Sequence, residues 1–154
     1  MKTQVWAHRG ASAYAPENTL EAFRLAAEMG ADGVELDVQL SRDGELVVAH
    51  DETIDRVSSG TGYIKDYTLA QLKKLSFNRL FPNFKDARIP TLKEVYELLK
   101  PAGLTVNVEL KTGIILYPEI EEKVLALTAS MGMEDRVIYS SFCHPSLVRL
   151  KELD

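Results

Sequence analysis

Glu35 and Asp37 stand two residues apart in a stretch, Gly33 to Leu40, in which Val34, Leu36, Val38 and Leu40 alternate with polar residues. In a strand that alternation puts the apolar set on one face and Glu35, Asp37 and Gln39 on the other. After the turn signal Arg42-Asp43-Gly44 comes Leu46-Val47-Val48-Ala49, an apolar run of buried-strand type that ends in His50-Asp51. Two carboxylates on one face of a buried strand repel each other and cost several kcal/mol to desolvate unless a cation lies between them. The pattern therefore points to a metal site. The competing explanation is the solvated face of an edge hairpin.

The elements that must position these groups follow from periodicity and caps. Gln4 to His8 reads as a short strand stopped at Arg9-Gly10. Asn18 and Glu21 have capping-box spacing, predicting a helix from about Thr19 to Met29, with Gly30 as its stop. Residues 52–89 are too long for a simple connection and rich in turn formers, with one short helix signal from Thr68 to Leu75, and read as a small inserted subdomain. Thr91 and Glu94 form a second capping box. Leu104 to Lys111 is a second alternating strand, with Asn107, Glu109 and Lys111 on its polar face. Pro118 opens a helix, Arg136 to Phe142 is a strand, and Pro145 opens a final helix, with His144 read as a residue of its cap.

Strand then helix, four times over, implies an α/β fold with a parallel sheet. A doubly wound sheet has helices on both faces and little use for the polar faces seen here. A closed barrel has a use for them at its mouth, although a barrel needs eight units. At that mouth Glu35, Asp37 and Glu109 would make an oxygen-ligand site for Mg²⁺ or Ca²⁺. His8 and His50 are suited to general acid and base work, and Arg9 and Lys111 to binding a phosphate.

His8-Arg9-Gly10, Pro16-Glu17-Asn18-Thr19, Glu35-x-Asp37, His50-Asp51 and Glu109-x-Lys111 stand in the order and approximate spacing of the glycerophosphodiester phosphodiesterase family, which the sequence resembles over nearly all its length. The resemblance implies a TIM (β/α)8 barrel of the PLC-like phosphodiesterase type. It implies metal-dependent hydrolysis of glycerophosphodiesters to sn-glycerol 3-phosphate and an alcohol. In that pattern Glu35, Asp37 and Glu109 are the metal ligands, His8 and His50 the catalytic pair, and Arg9 and Lys111 the phosphate contacts. Only about the first four β/α units of such a barrel are present, so residues 1–154 read as a partial barrel domain carrying the 52–89 insertion. A half barrel exposes two strand edges, and a homodimer or a C-terminal half is expected to cover them.

Composition narrows the alternatives. A net charge of −5 argues against nucleic acid as the partner, and local cations must supply any attraction for an anionic substrate. One cysteine, Cys143, excludes an internal disulfide framework. Met1 to Trp6 has no apolar leader core and no stretch is apolar enough for stable membrane insertion, so the expected setting is cytoplasmic. Two other readings stay open: lysophospholipase D-type activity on the same site, and an inactive half barrel or metal-binding interaction module. Cys143 is expected to be packed, Ser140 and Ser141 to line the mouth, and Asp51 to orient an imidazole or serve as a turn residue.

Overall fold

The computed structural model describes residues 3–154; of the Met1 to Trp6 stretch read for a leader, Met1 and Lys2 lie outside them. Strand β2 (Gly33–Leu40) is the centre. On one side it pairs in parallel with β1 (Trp6–His8), on the other with β4 (Thr105–Leu110), which in turn pairs in parallel with β5 (Val137–Ser140). Strand β3 (Leu46–Val48) returns antiparallel on the end of β2, closing the predicted hairpin. Neighbouring parallel strands follow chain order, as in a (β/α) barrel; a doubly wound sheet reverses its order at a switch point.

Val34, Leu36 and Val38 of β2 and Val106, Val108 and Leu110 of β4 are buried among the helices α1 (Leu20–Glu28), α3 (Leu92–Leu99), α4 (Ile120–Ser130) and α5 (His144–Leu153). Each such side chain fully withdrawn from water contributes roughly 1.5–3 kcal/mol before entropy is counted. The alternation thus works as expected: the apolar face meets the helices and the polar face turns inward. A second cluster, with Val47, Ile54, Ile64, Leu72 and Phe77 at its centre, joins residues 52–89 to the far side of β3. Helix α2 (Leu69–Leu72) lies in that segment, behind the Thr68–Gln71 capping box, and is shorter than predicted. The Thr91–Glu94 capping box forms as expected.

Two helix starts differ from the sequence reading. Thr19, not Asn18, caps α1, accepting from the Ala22 N–H, while Asn18 takes a left-handed backbone (φ 57°) and sends its side chain elsewhere. His144 is already the first residue of α5; Cys143 holds the cap position, and no side chain closes that end. The outer edges of the sheet are β1 and β5. Beside β1 lies an apolar groove of about 290 Å³ lined by Val5, Ala7, Tyr14, Ala26 and Met29, and Ile138 in β5 and Phe142 just after it are exposed.

Candidate metal and phosphate site

Register assembles the site. In the parallel pair of β2 and β4, Asp37 lies beside Glu109 and Glu35 beside Asn107; across the other pair, His8 lies beside Glu35. One ligand oxygen from each of Glu35, Asp37 and Glu109 falls within 4.8 Å of the others, a separation that one ion can bridge. A solvated hairpin face would not hold them this way: Asp37 is 1 % exposed.

Around the carboxylates the backbone is tightly constrained. Arg9 takes φ 58°, rare for a residue with a side chain, and its N–H donates both to the Glu35 carbonyl (3.0 Å) and to Glu35 Oε2 (3.1 Å). Gly10 follows at φ 77°, where a Cβ would sit 2.7 Å from the Ala22 backbone. Only glycine lets the loop after β1 lie this close to α1.

The charged groups alternate in sign. Arg9 Nε is 3.6 Å from Asp37 Oδ2, and Lys111 Nζ is 3.1 Å from Glu109 Oε1 and 3.8 Å from Asp37 Oδ1. His8 Nε2 lies 3.6 Å from Glu35 Oε2. Asn18 Nδ2 donates to Asp37 Oδ2 at 2.9 Å, so the residue expected at the helix cap instead orients a carboxylate. Burial, with the neighbouring Asp37 charge, pushes the Glu35 carboxyl up to about 7. Burial also raises Asp37, against the hydrogen bond from Asn18 and the nearby positive charges. Among the described residues, the fully buried side-chain polar atoms left without a hydrogen-bond partner are Arg9 Nε, Asn18 Oδ1, Glu35 Oε1 and Asp37 Oδ1. Orphaned buried oxygens are costly, and two of them belong to carboxylates of the cluster, Glu35 and Asp37. Such a donor set, all oxygen and largely anionic, fits a hard divalent cation.

His50, at the end of the run that follows β3, has its Nδ1 2.7 Å from Asp51 Oδ1. A carboxylate only accepts, so Nδ1 carries the proton and Nε2 is the free nitrogen. Asp51 thus does orient an imidazole. Gln39 fixes the backbone there: the two N–H groups of its buried amide are shared among the carbonyls of Ala49, His50 and Asp51 at 2.9, 3.2 and 2.7 Å, and its oxygen accepts from the Tyr117 hydroxyl at 2.8 Å. The structure thus brings His8, Arg9 and Lys111 into direct contact with the three carboxylates, and gives His50 a contact to Asp51. The sequence reading gave no role to Gln39, Tyr117 or Arg56; for Gln39 the signal was its place on the polar face of β2. Ser140 lies beside Glu109 and donates to Asn107 Oδ1, while Ser141 donates to the Leu110 carbonyl, both consistent with lining. Cys143 is half-buried.

Comparison with known proteins bears on the family and the fold. Residues 8–154 match the glycerophosphoryl diester phosphodiesterase family. The chain is 53 % identical over 154 residues to a glycerophosphodiester phosphodiesterase of Caldanaerobacter subterraneus subsp. tengcongensis, covering 99 % of this chain and 63 % of that protein. It is 45 % identical to one of Bacillus altitudinis, covering 98 % and 62 %. The crystal structure of a glycerophosphodiester phosphodiesterase from Agrobacterium tumefaciens superposes with a TM-score of 0.90 at 38 % identity, over 99 % of this chain and 63 % of the other. An Oleispira antarctica phosphodiesterase in complex with the product sn-glycerol-3-phosphate superposes with a TM-score of 0.84 at 36 % identity, over 98 % and 62 %. The chain thus spans about three fifths of the length of the curated relatives it matches. On its fold, its motifs and these matches, the chain belongs to the glycerophosphoryl diester phosphodiesterase family.

Proposed function

We propose that this chain carries the metal and proton-transfer site of a phosphodiesterase that cleaves glycerophosphodiesters to sn-glycerol 3-phosphate and an alcohol. The observation that carries the reading is the cluster of Glu35, Asp37 and Glu109, with buried, unpartnered oxygens on Glu35 and Asp37. A relative of the same fold holds that product. In the proposal Glu35, Asp37 and Glu109 hold one divalent cation, Mg²⁺ or Ca²⁺. When bound, the cation offsets charge that develops on the phosphate oxygens in the transition state. Arg9, with its planar fork, and Lys111, as a point charge, take the remaining phosphate oxygens, in the kind of fixed arrangement that contributes a few kcal/mol where water is scarce. His8 and His50 divide the proton work. One takes the proton of the attacking oxygen as it bonds to phosphorus, and the other gives a proton to the alkoxide as the bond to the alcohol breaks; the attacker is water, or the glycerol 2-hydroxyl giving a cyclic phosphate that water then opens to sn-glycerol 3-phosphate. Each step of this kind contributes about 10²- to 10⁴-fold.

Residues 52–89 act in this reading as an inserted unit flanking the mouth. The β1 and β5 edges are covered in the working protein by further strand–helix units or by a second copy of the chain. The test follows release of sn-glycerol 3-phosphate from glycerophosphocholine, with Mg²⁺, with Ca²⁺ and with chelator, together with the mass of the species in solution. Turnover that requires the cation and is lost in Glu109→Gln supports the proposal. Turnover unaffected by chelator, or cation binding without any turnover, refutes it.

A further inference from the structure

Arg56, in the 52–89 segment, is bonded to none of the three clustered carboxylates, yet its guanidinium holds two other carboxylates, each bonded to a predicted site residue. Its Nη1 and Nη2 donate to the two oxygens of Glu17, each at 2.8 Å, and its Nε donates to Asp51 Oδ2 at 2.7 Å. The other oxygen of Asp51 holds His50 Nδ1, and Glu17 also accepts from Arg9 Nη1 at 3.2 Å. One side chain thereby links a unit flanking the mouth to a histidine on one side and an arginine on the other. The hydrogen bonds from Arg56, with help from Arg9, hold Glu17 below the usual carboxylate range in spite of burial. Burial pushes Asp51 up, and the bonds from Arg56 and His50 outweigh it.

An exposed ion pair contributes little on its own. Here the geometry is of another kind: a forked contact to one carboxylate and a third N–H to a second, all with fixed direction. Glu17 is only 15 % exposed, so loss of the fork leaves a largely buried carboxylate with Arg9 as its single partner. We propose that Arg56 is a positioning residue: its guanidinium fixes Asp51 and Glu17 together, so that His50 presents Nε2, and Arg9 its guanidinium, to the substrate. This rests on the phosphodiesterase reading for its catalytic consequence, but not for its structural one.

The deciding experiment reads the His50 ring by ¹⁵N-resolved NMR in the metal-free protein at about pH 8, where an ordinary histidine is neutral. The wild type is expected to show the Nδ1–H form alone. Arg56→Gln is expected to show a mixture of the two tautomers. In the turnover assay kcat is expected to fall by about 10- to 100-fold, as for other groups that orient a ligand or base from behind, with cation affinity unchanged. Arg56→Lys keeps the charge without the fork and should rescue only part of kcat; it also takes the place of Arg56→Gln should that variant not melt cooperatively. A folded variant that keeps the wild-type tautomer, with kcat within about two-fold, overturns the proposal. If the wild type hydrolyses no glycerophosphodiester, the catalytic reading falls alone and the tautomer result still decides the role of Arg56.

Discussion

Replacing Glu35 by glutamine, which keeps shape and removes charge, is expected to make the metal-free protein more stable and to abolish its response to divalent cations. The magnitude follows from the Glu35 environment. Carrying a carboxyl from its ordinary 4.5 up to about 7 disfavours the ionised form, by ~3 kcal/mol on the usual conversion. Solvent reaching the outer oxygen reduces the effect to ~2 kcal/mol. Because the folded chain binds this proton more tightly than the unfolded chain, the metal-free wild type loses stability as pH rises from 4.5 to about 7. Glu35→Gln has no such penalty, and its amide can donate towards Asp37. In chelator at about pH 8 the variant should therefore melt about 4–8 °C above the wild type, and the gap should close towards about pH 5. Adding a cation at about a hundred times its Kd should raise the wild type by ~2.7 kcal/mol and leave the variant unmoved. Calorimetry at two pH values, with and without Mg²⁺ or Ca²⁺, reads all of this. A variant less stable than the wild type in chelator at the higher pH would mean that Arg9 and Lys111 already neutralise the cluster, and the case for a cation would fail.

Other perturbations separate the roles of neighbouring groups. His8→Gln and His50→Gln should each lower kcat by about 10²-fold or more while titration calorimetry finds cation affinity unchanged; an equal loss of affinity would refute the division of labour. Gln39→Leu leaves three carbonyls and the Tyr117 hydroxyl without their partner, and should cost about 1–3 kcal/mol in urea unfolding. Gly10→Ala must accept φ 77° and a Cβ 2.7 Å from the Ala22 backbone. It should cost upwards of about 2 kcal/mol, and a loss below about 0.5 kcal/mol would show the loop to be far softer than its geometry implies.

The sequence made one layer of this molecule legible and hid the next. The alternation in β2 and β4 gave strand faces, and the faces gave the convergence of Glu35, Asp37 and Glu109, because a period of two leaves no choice once one face is buried. The capping boxes at Thr68 and Thr91 were readable because each closes within four residues. Asn18 was misread for the same reason: local spacing suggested a cap, but a buried carboxylate nineteen positions away competes for its amide. Arg56 works across a tertiary distance and no local pattern announces it; for Gln39 the alternation of β2 showed the face but not the carbonyls it holds.

Because Asp37 meets Glu109 through the register of a single strand pair, the length of that pair is part of the chemistry. Inserting or deleting one residue within Gly33–Leu40 or Thr105–Leu110 would swing the acidic groups beyond it into the greasy layer beneath the helices. The 52–89 stretch, tied on by its own small core, has no such bookkeeping. Drift in chain length during descent should therefore pool in that stretch, provided its arginine still reaches both acids, and should be purged from the two central strands.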